Sequence, residues 1–104
     1  MEKVIAGYSV DVTEEGYLTN KAQWNKEIAE VIAKEIGIDE LTEGHWKVIE
    51  FIQKDLAKTE KMPTIRRVKN AGGIETKELY RLFPEGPLLK ATKIAGLSKP
   101  VSCV

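Results

Sequence analysis

The sequence predicts an α+β fold that is mainly α: a small N-terminal β-hairpin or meander packed on about five helices, with a flexible C-terminal arm. Three observations carry this expectation. β-branched and aromatic residues gather in two short stretches before residue 20. From Trp24 onward apolar residues recur at spacings of three and four, the period of a helix with one buried face. After Gly96 there remain only Leu97-Ser-Lys-Pro-Val-Ser-Cys-Val, with too few apolar side chains to pack firmly.

The elements follow in order. Residues 3–10 and 16–19 read as strands separated by the polar stretch Asp11 to Glu15. So little sheet is marginal alone and needs helices to cover its apolar face. Asn20 suits the N-cap of a first helix, with Gln23 three residues on as in a capping box. Trp24, Ile28, Val31, Ile32 and Ile36 form its apolar stripe, and Gly37 stands where a left-handed C-cap is wanted. Thr42 can cap a second helix with Trp46, Ile49, Ile52 and Leu56 on one face, stopped by the polar run to Lys61 and by Pro63. Thr64 starts a short third helix through Ile65 and Val68, closed by Gly72-Gly73. Thr76 caps a fourth through Leu79, Leu82 and Phe83, ended by Pro84. Pro87 suits the first turn of a fifth through Leu88, Ala91 and Ile94, with Gly96 as terminator. The expected organisation is one domain over residues 1–96 and a mobile arm over 97–104.

Composition narrows the function classes. Sixteen basic residues meet sixteen acidic ones, a balance unlike the basic excess of a dedicated nucleic-acid binder. No apolar run approaches the roughly 20 residues of a membrane span, and the first residues lack the apolar core of a signal peptide. With one cysteine no internal disulfide can form, so a cytoplasmic setting and a monomer are expected.

The residue types that carry chemistry are few. Cys103 stands one position from the end, where a side chain is rarely locked into a core, so an accessible thiol is expected in place of the small buried hydrophobe that a lone cysteine more often is. Such a thiol can enter one protein's active site, accept sulfur, and deliver it in a second. The reactive form is the thiolate. The terminal carboxylate of Val104 opposes its ionisation, whereas Lys90, Lys93 and Lys99 could offset that effect. Arg66, Arg67 and Lys69 make a second basic group, either a solvated helix face or a surface for the arm or an acidic partner. His45, with no neighbour at ligand spacing, suits capping or packing rather than zinc. Trp24 and Trp46 fall on apolar stripes and read as core. No cofactor site is expected: Gly72-Gly73 lacks the lysine and spacing of a phosphate loop. A rival reading takes Thr64 to Phe83, with Arg66, Arg67, Lys69, Lys77 and Arg81, as a helix-turn-helix DNA-binding module. The long turn and zero net charge weigh against it.

The segments Leu79-Tyr-Arg-Leu-Phe-Pro-Glu-Gly-Pro and Lys90-Ala-Thr-Lys-Ile-Ala-Gly-Leu-Ser-Lys-Pro-Val-Ser-Cys-Val resemble the signature of the TusE/DsrC family of sulfur-relay proteins. Gly16-Tyr-Leu, Trp24, His45-Trp46 and Pro63-Thr-Ile-Arg extend the resemblance across nearly the whole chain. It implies a mainly helical fold with an N-terminal β element, and a penultimate cysteine that accepts sulfur from a protein donor complex and passes it to a protein acceptor. The dissimilatory branch of that family works with sulfite reductase and carries a second arm cysteine eleven residues upstream, where this chain has Thr92. The resemblance therefore favours the single-cysteine TusE type, whose acceptor thiolates the wobble uridine of certain tRNAs, with no direct nucleic-acid or membrane partner. Ser98 stands where members usually carry proline, and Leu89 where lysine is common.

Overall fold

In a computed structural model of the chain, which describes residues 1–100, a two-stranded antiparallel sheet precedes five helices. Strands β1 (Glu2–Ile5) and β2 (Tyr8–Asp11) pair with Lys3 opposite Val10 and Ile5 opposite Tyr8. The stretch 3–10 is thus a whole hairpin and not one strand. Ala6 and Gly7 form its two-residue turn with φ of 54° and 85°, the positive-φ pairing that matches the twist of a tight hairpin. The expected strand at 16–19 is reduced to a single bridge between Val12 and Leu18, because the chain turns at Thr13 to Gly16 and leaves no length to pair.

The first helix also begins later than its spacing suggests. Asn20 caps only a 3₁₀ turn, Lys21–Gln23, by accepting from the Ala22 N–H. Gln23 does not close a capping box. Its amide accepts from the Asp11 N–H at 2.8 Å and donates to the Asp11 carboxylate, tying this turn to β2. Asn25 caps α1 (Lys26–Glu35) by accepting from the Ile28 N–H. Trp24 therefore lies before the helix, while Ile28 and Ile32 carry its buried face and Gly37 closes it at φ 93°.

Helix α2 (Glu43–Thr59) starts where Thr42 predicts, through a reciprocal cap in which His45 replaces the usual Glu or Gln. The His45 Nδ1 accepts from the Thr42 N–H at 3.0 Å, which leaves Nε2–H to donate to the Leu82 carbonyl at 2.8 Å. The ring also meets Phe83 edge-on, with centroids 5.1 Å apart. The capping-and-packing expectation for His45 holds. Helix α3 (Ile65–Gly72) is capped by Thr64 and ends at Gly73, as expected. Helix α4 (Thr76–Leu82) has Glu75 at its N-cap, one residue before the expected Thr76. Helix α5 (Pro87–Ile94) has Pro87 in its first turn and Gly96 reversing the chain at φ 73°.

Helix α2 packs against α3, α4 and α5, while α5 also packs against α1 and α4 and β1 lies on α1. Val48, Ile49, Ile52, Val68, Leu79, Phe83, Ala91 and Ile94 are wholly buried between them. The packing does not stop at residue 96. Leu97 joins the core and Pro100 is buried, so the body extends through the first half of the segment read as arm. Truncation of a wholly buried side chain leaves a cavity that this small core has few ways to fill. Ile52→Ala is expected to lower unfolding free energy by about 2–5 kcal/mol in urea titration, with the m-value unchanged.

Candidate functional site at the root of the C-terminal segment

Helix α5 ends in a Schellman motif. The Leu97 N–H donates to the Thr92 carbonyl at 2.9 Å and the Gly96 N–H to the Lys93 carbonyl at 3.3 Å. Side chains from two other parts of the chain complete the end. Trp24 Nε1–H donates to the Ile94 carbonyl at 2.7 Å, and the Gln53 amide of α2 to the Ala95 carbonyl at 2.8 Å. Gly96 is in direct contact with the indole: a Cβ at this position would lie 2.5 Å from Trp24 Cδ1. Trp24 was expected to be core and is half-buried instead, because its N–H needs the helix end as a partner. Gln53 escaped notice in the sequence, where a glutamine flanking an apolar stripe looks like any solvated polar residue.

A polar patch adjoins this root. The Lys99 Nζ pairs with the Glu15 carboxylate at 2.7 Å. The Lys93 Nζ lies 5.7 Å from the centroid of Tyr17, and its stem runs against Gly16, where a Cβ would come 3.0 Å from Cε. Tyr17 is buried (6% exposed) and donates its hydroxyl to the Leu89 carbonyl at 3.0 Å. Burial pushes its pKa above the usual tyrosine value, although the Lys99 charge works in the opposite direction. Two of the expected lysines thus share one surface with the loop that ends in Tyr17. Lys90, half-buried on α5, makes no ion pair among the described residues. Cys103 lies outside the described residues, and so does its relation to these cations.

Thr92 is wholly buried within α5 and donates its hydroxyl to the Leu88 carbonyl at 2.6 Å. Its position is therefore part of the packed body. The second basic group divides. Arg67 makes a double hydrogen bond through Nε and Nη2 to Asp55, whose side chain is only 5% exposed, so this guanidinium holds α3 against α2. The same contact raises the Arg67 pKa above its ordinary value, first through the hydrogen bond and then through charge. Arg66 is exposed beside it and lines a shallow cleft with Thr64 and Asn70. Of the residues in the helix-turn-helix reading, Arg81 is likewise paired, to Glu78. Among the described residues no group of three or more His, Cys, Asp or Glu side chains could hold a metal ion, and no helix is long and apolar enough to cross a membrane.

A mainly helical body with an N-terminal hairpin and a fixed helix end leading to a penultimate cysteine defines a class. The chain belongs to the DsrC-like protein family, whose model matches residues 4–104. Among curated relatives it is similar to sulfurtransferase TusE of Yersinia pseudotuberculosis, 41% identical over 105 residues that cover 94% of this chain and 96% of the relative. Sulfurtransferase TusE of Escherichia coli K12 is 40% identical over 108 residues, covering 97% and 98%. Among solved structures, a crystal structure of dissimilatory sulfite reductase I (DsrI) superposes with a TM-score of 0.88 at 34% identity. The solution structure of Allochromatium vinosum DsrC does so at 0.84 and 37%, and both superpositions cover all of both chains.

Two outcomes follow from this geometry. Arg67→Ala strands the buried Asp55 carboxylate and should lower Tm clearly, whereas Arg66→Ala should leave Tm unchanged in the same calorimetric comparison. For Tyr17, a folded-state pKa raised above the unfolded one favours folding fully at pH below about 10, and that contribution is lost as pH rises through the folded value. Stability should therefore fall more steeply above pH 10 in the wild type than in Tyr17→Phe, as read from denaturant midpoints across that range.

Proposed function

We propose that this sulfur-relay protein carries sulfur as a persulfide on Cys103 and moves it between two protein partners. The observation that carries the reading is a lone cysteine, next to the last residue, in a chain whose match to the DsrC-like family runs through residue 104. The Cys103 thiolate attacks the outer sulfur of a donor persulfide. A Cys103 S–S bond forms, the donor's own S–S bond breaks, and the donor leaves as a thiolate with the proton retained on the transferred sulfur. An acceptor thiolate then attacks that outer sulfur and Cys103 leaves as a thiolate. Neither step changes the net oxidation state, so the exchange requires access and a thiolate rather than a cofactor or a metal.

The acceptor proposed is an enzyme of tRNA wobble-uridine 2-thiolation, and the donor an upstream sulfurtransferase complex in the cytoplasm. Support comes from curated relatives named sulfurtransferase TusE at 40–42% identity and from Thr92, which leaves no second thiol for an internal disulfide. The burial of Thr92 inside α5 adds to this, since its side chain is committed to the helix. A second reading, a partner of dissimilatory sulfite reductase, is favoured by the names of the structural relatives. The lone cysteine weighs against it. Lys90, Lys93, Lys99 and Arg66 are proposed to dock partners or favour the thiolate; Arg67 acts mainly through Asp55.

Intact-mass spectrometry tests the carrier step. Wild type incubated with a cysteine desulfurase, cysteine and a sulfurtransferase should gain one sulfur atom that reductant removes, and Cys103→Ser should gain none. Absence of any gain with several donors, the thiol being free, would refute the relay.

A further inference from the structure

We infer that the face of α3 around Arg66 and Arg67 is a docking surface for an acidic segment of a partner protein, one in which a carboxylate lies next to an aliphatic side chain. The inference deepens the docking role proposed above for Arg66 and rests on that reading, but it needs nothing from the chemistry at Cys103. The observation that carries it is that Asp55 uses only one edge of Arg67. A guanidinium has two edges that can each hold a carboxylate through a pair of N–H groups. Asp55 accepts from Nε at 3.2 Å and from Nη2 at 2.8 Å, which is the first edge. The second edge, Nη1 with the remaining Nη2 hydrogen, has no acceptor among the described residues. The Asp55 side chain is only 5% exposed, whereas that of Arg67 is 46% exposed. The contact that joins α3 to α2 therefore also fixes the guanidinium plane, with a complete edge left for an anion from outside.

Charge and shape point to the same occupant. Arg66 is exposed and makes no ion pair among the described residues. Both arginines fall in the first turn of α3, which holds no acidic residue, and the helix macrodipole disfavours cations there. Asp55 offsets this for Arg67, and an incoming carboxylate would offset it for Arg66. Two adjoining clefts share Thr64 and Arg67. One, of about 450 Å³, is completed by Arg66 and Asn70; the other, of about 220 Å³, has a mostly apolar lining that includes Met62 and Pro63. A carboxylate in the first and an aliphatic side chain in the second match that juxtaposition. RNA matches it less well. The chain has no net charge, and among the described residues no aromatic side chain lines either cleft to stack on a base.

The test follows backbone amide NMR signals of the full chain during titration with acetylated, amidated hexapeptides that carry one leucine and two glutamates in every order. At least one peptide should shift the signals of residues 59–71 at concentrations below about 1 mM. Replacing both glutamates of that peptide by glutamine should weaken binding about tenfold, and so should Arg66→Gln. Arg67→Lys keeps a cation for Asp55 but offers no second edge, and it should weaken binding about tenfold as well. If Arg67→Lys fails to fold, Arg66→Gln and the glutamine peptide decide. No shift with any peptide, or binding indifferent to Arg66→Gln, would overturn the inference. So would a short oligouridylate that shifts the same signals and binds more tightly than every peptide, since it would place a nucleic acid in the clefts. Loading of Cys103 from inorganic polysulfide, read by intact mass on the same protein, tests the carrier chemistry separately, so the two failures are distinguishable.

Discussion

A short helix buried by three others must return its chain to the surface, and the rest of this structure is arranged around that requirement. Helix α5 packs against α1, α2 and α4, and Ala91, Thr92 and Ile94 are shut from solvent. Its C-terminal carbonyls therefore emerge close to the core, where an unpaired acceptor costs about 1–3 kcal/mol. Every one of the last five finds a donor. Ala91 accepts from Ala95, Thr92 from Leu97, Lys93 from Gly96, Ile94 from Trp24, and Ala95 from Gln53. Without those partners the end would fray, and the segment that leads to Cys103 would have no defined origin.

Similar economy runs through the other polar groups. His45 serves α2 as a cap and α4 as a donor to its last turn, so one imidazole ties two helices together. Asp55 would be a costly buried charge without the forked contact from Arg67, which gives α3 its place on α2. Tyr17 sends its hydroxyl to α5 from the N-terminal loop. Helix α2 thus meets α3, α4 and α5 each through one directional contact added to the apolar packing. Packing alone sets proximity, and these contacts set orientation.

For a protein that hands sulfur from partner to partner, this division of labour is physically sensible. Thiol exchange needs an exposed nucleophile and a donor brought into line, not a deep pocket built from many groups. The body's surface near the root gathers Lys93, Lys99 and the Glu15–Tyr17 loop.

What the sequence by itself determined was local. The stripes on α1 and α2, Thr42, Thr64, Pro87 and the glycines at 37, 73 and 96 announce helices whose ends depend on residues nearby, and those helices form where expected, save that α1 starts at Lys26 and leaves Trp24 outside it. The position of Cys103 and the resemblance it completes were legible for the same reason, since a motif is a property of neighbours in the chain. The tertiary structure decided what depends on distant partners. Residues 3–10 folded into a hairpin because Ala6-Gly7 could adopt positive φ, a preference no apolar count reveals. Asn25 displaced Asn20 as the cap because Gln23 was drawn to Asp11. Arg67 became a strut rather than a free cation because α2 presents Asp55 to it. Leu97 was drawn into the core, and Trp24 and Gln53 met the end of α5, only because helices far apart in sequence pack side by side. That assembly cannot be read from any single stretch of residues.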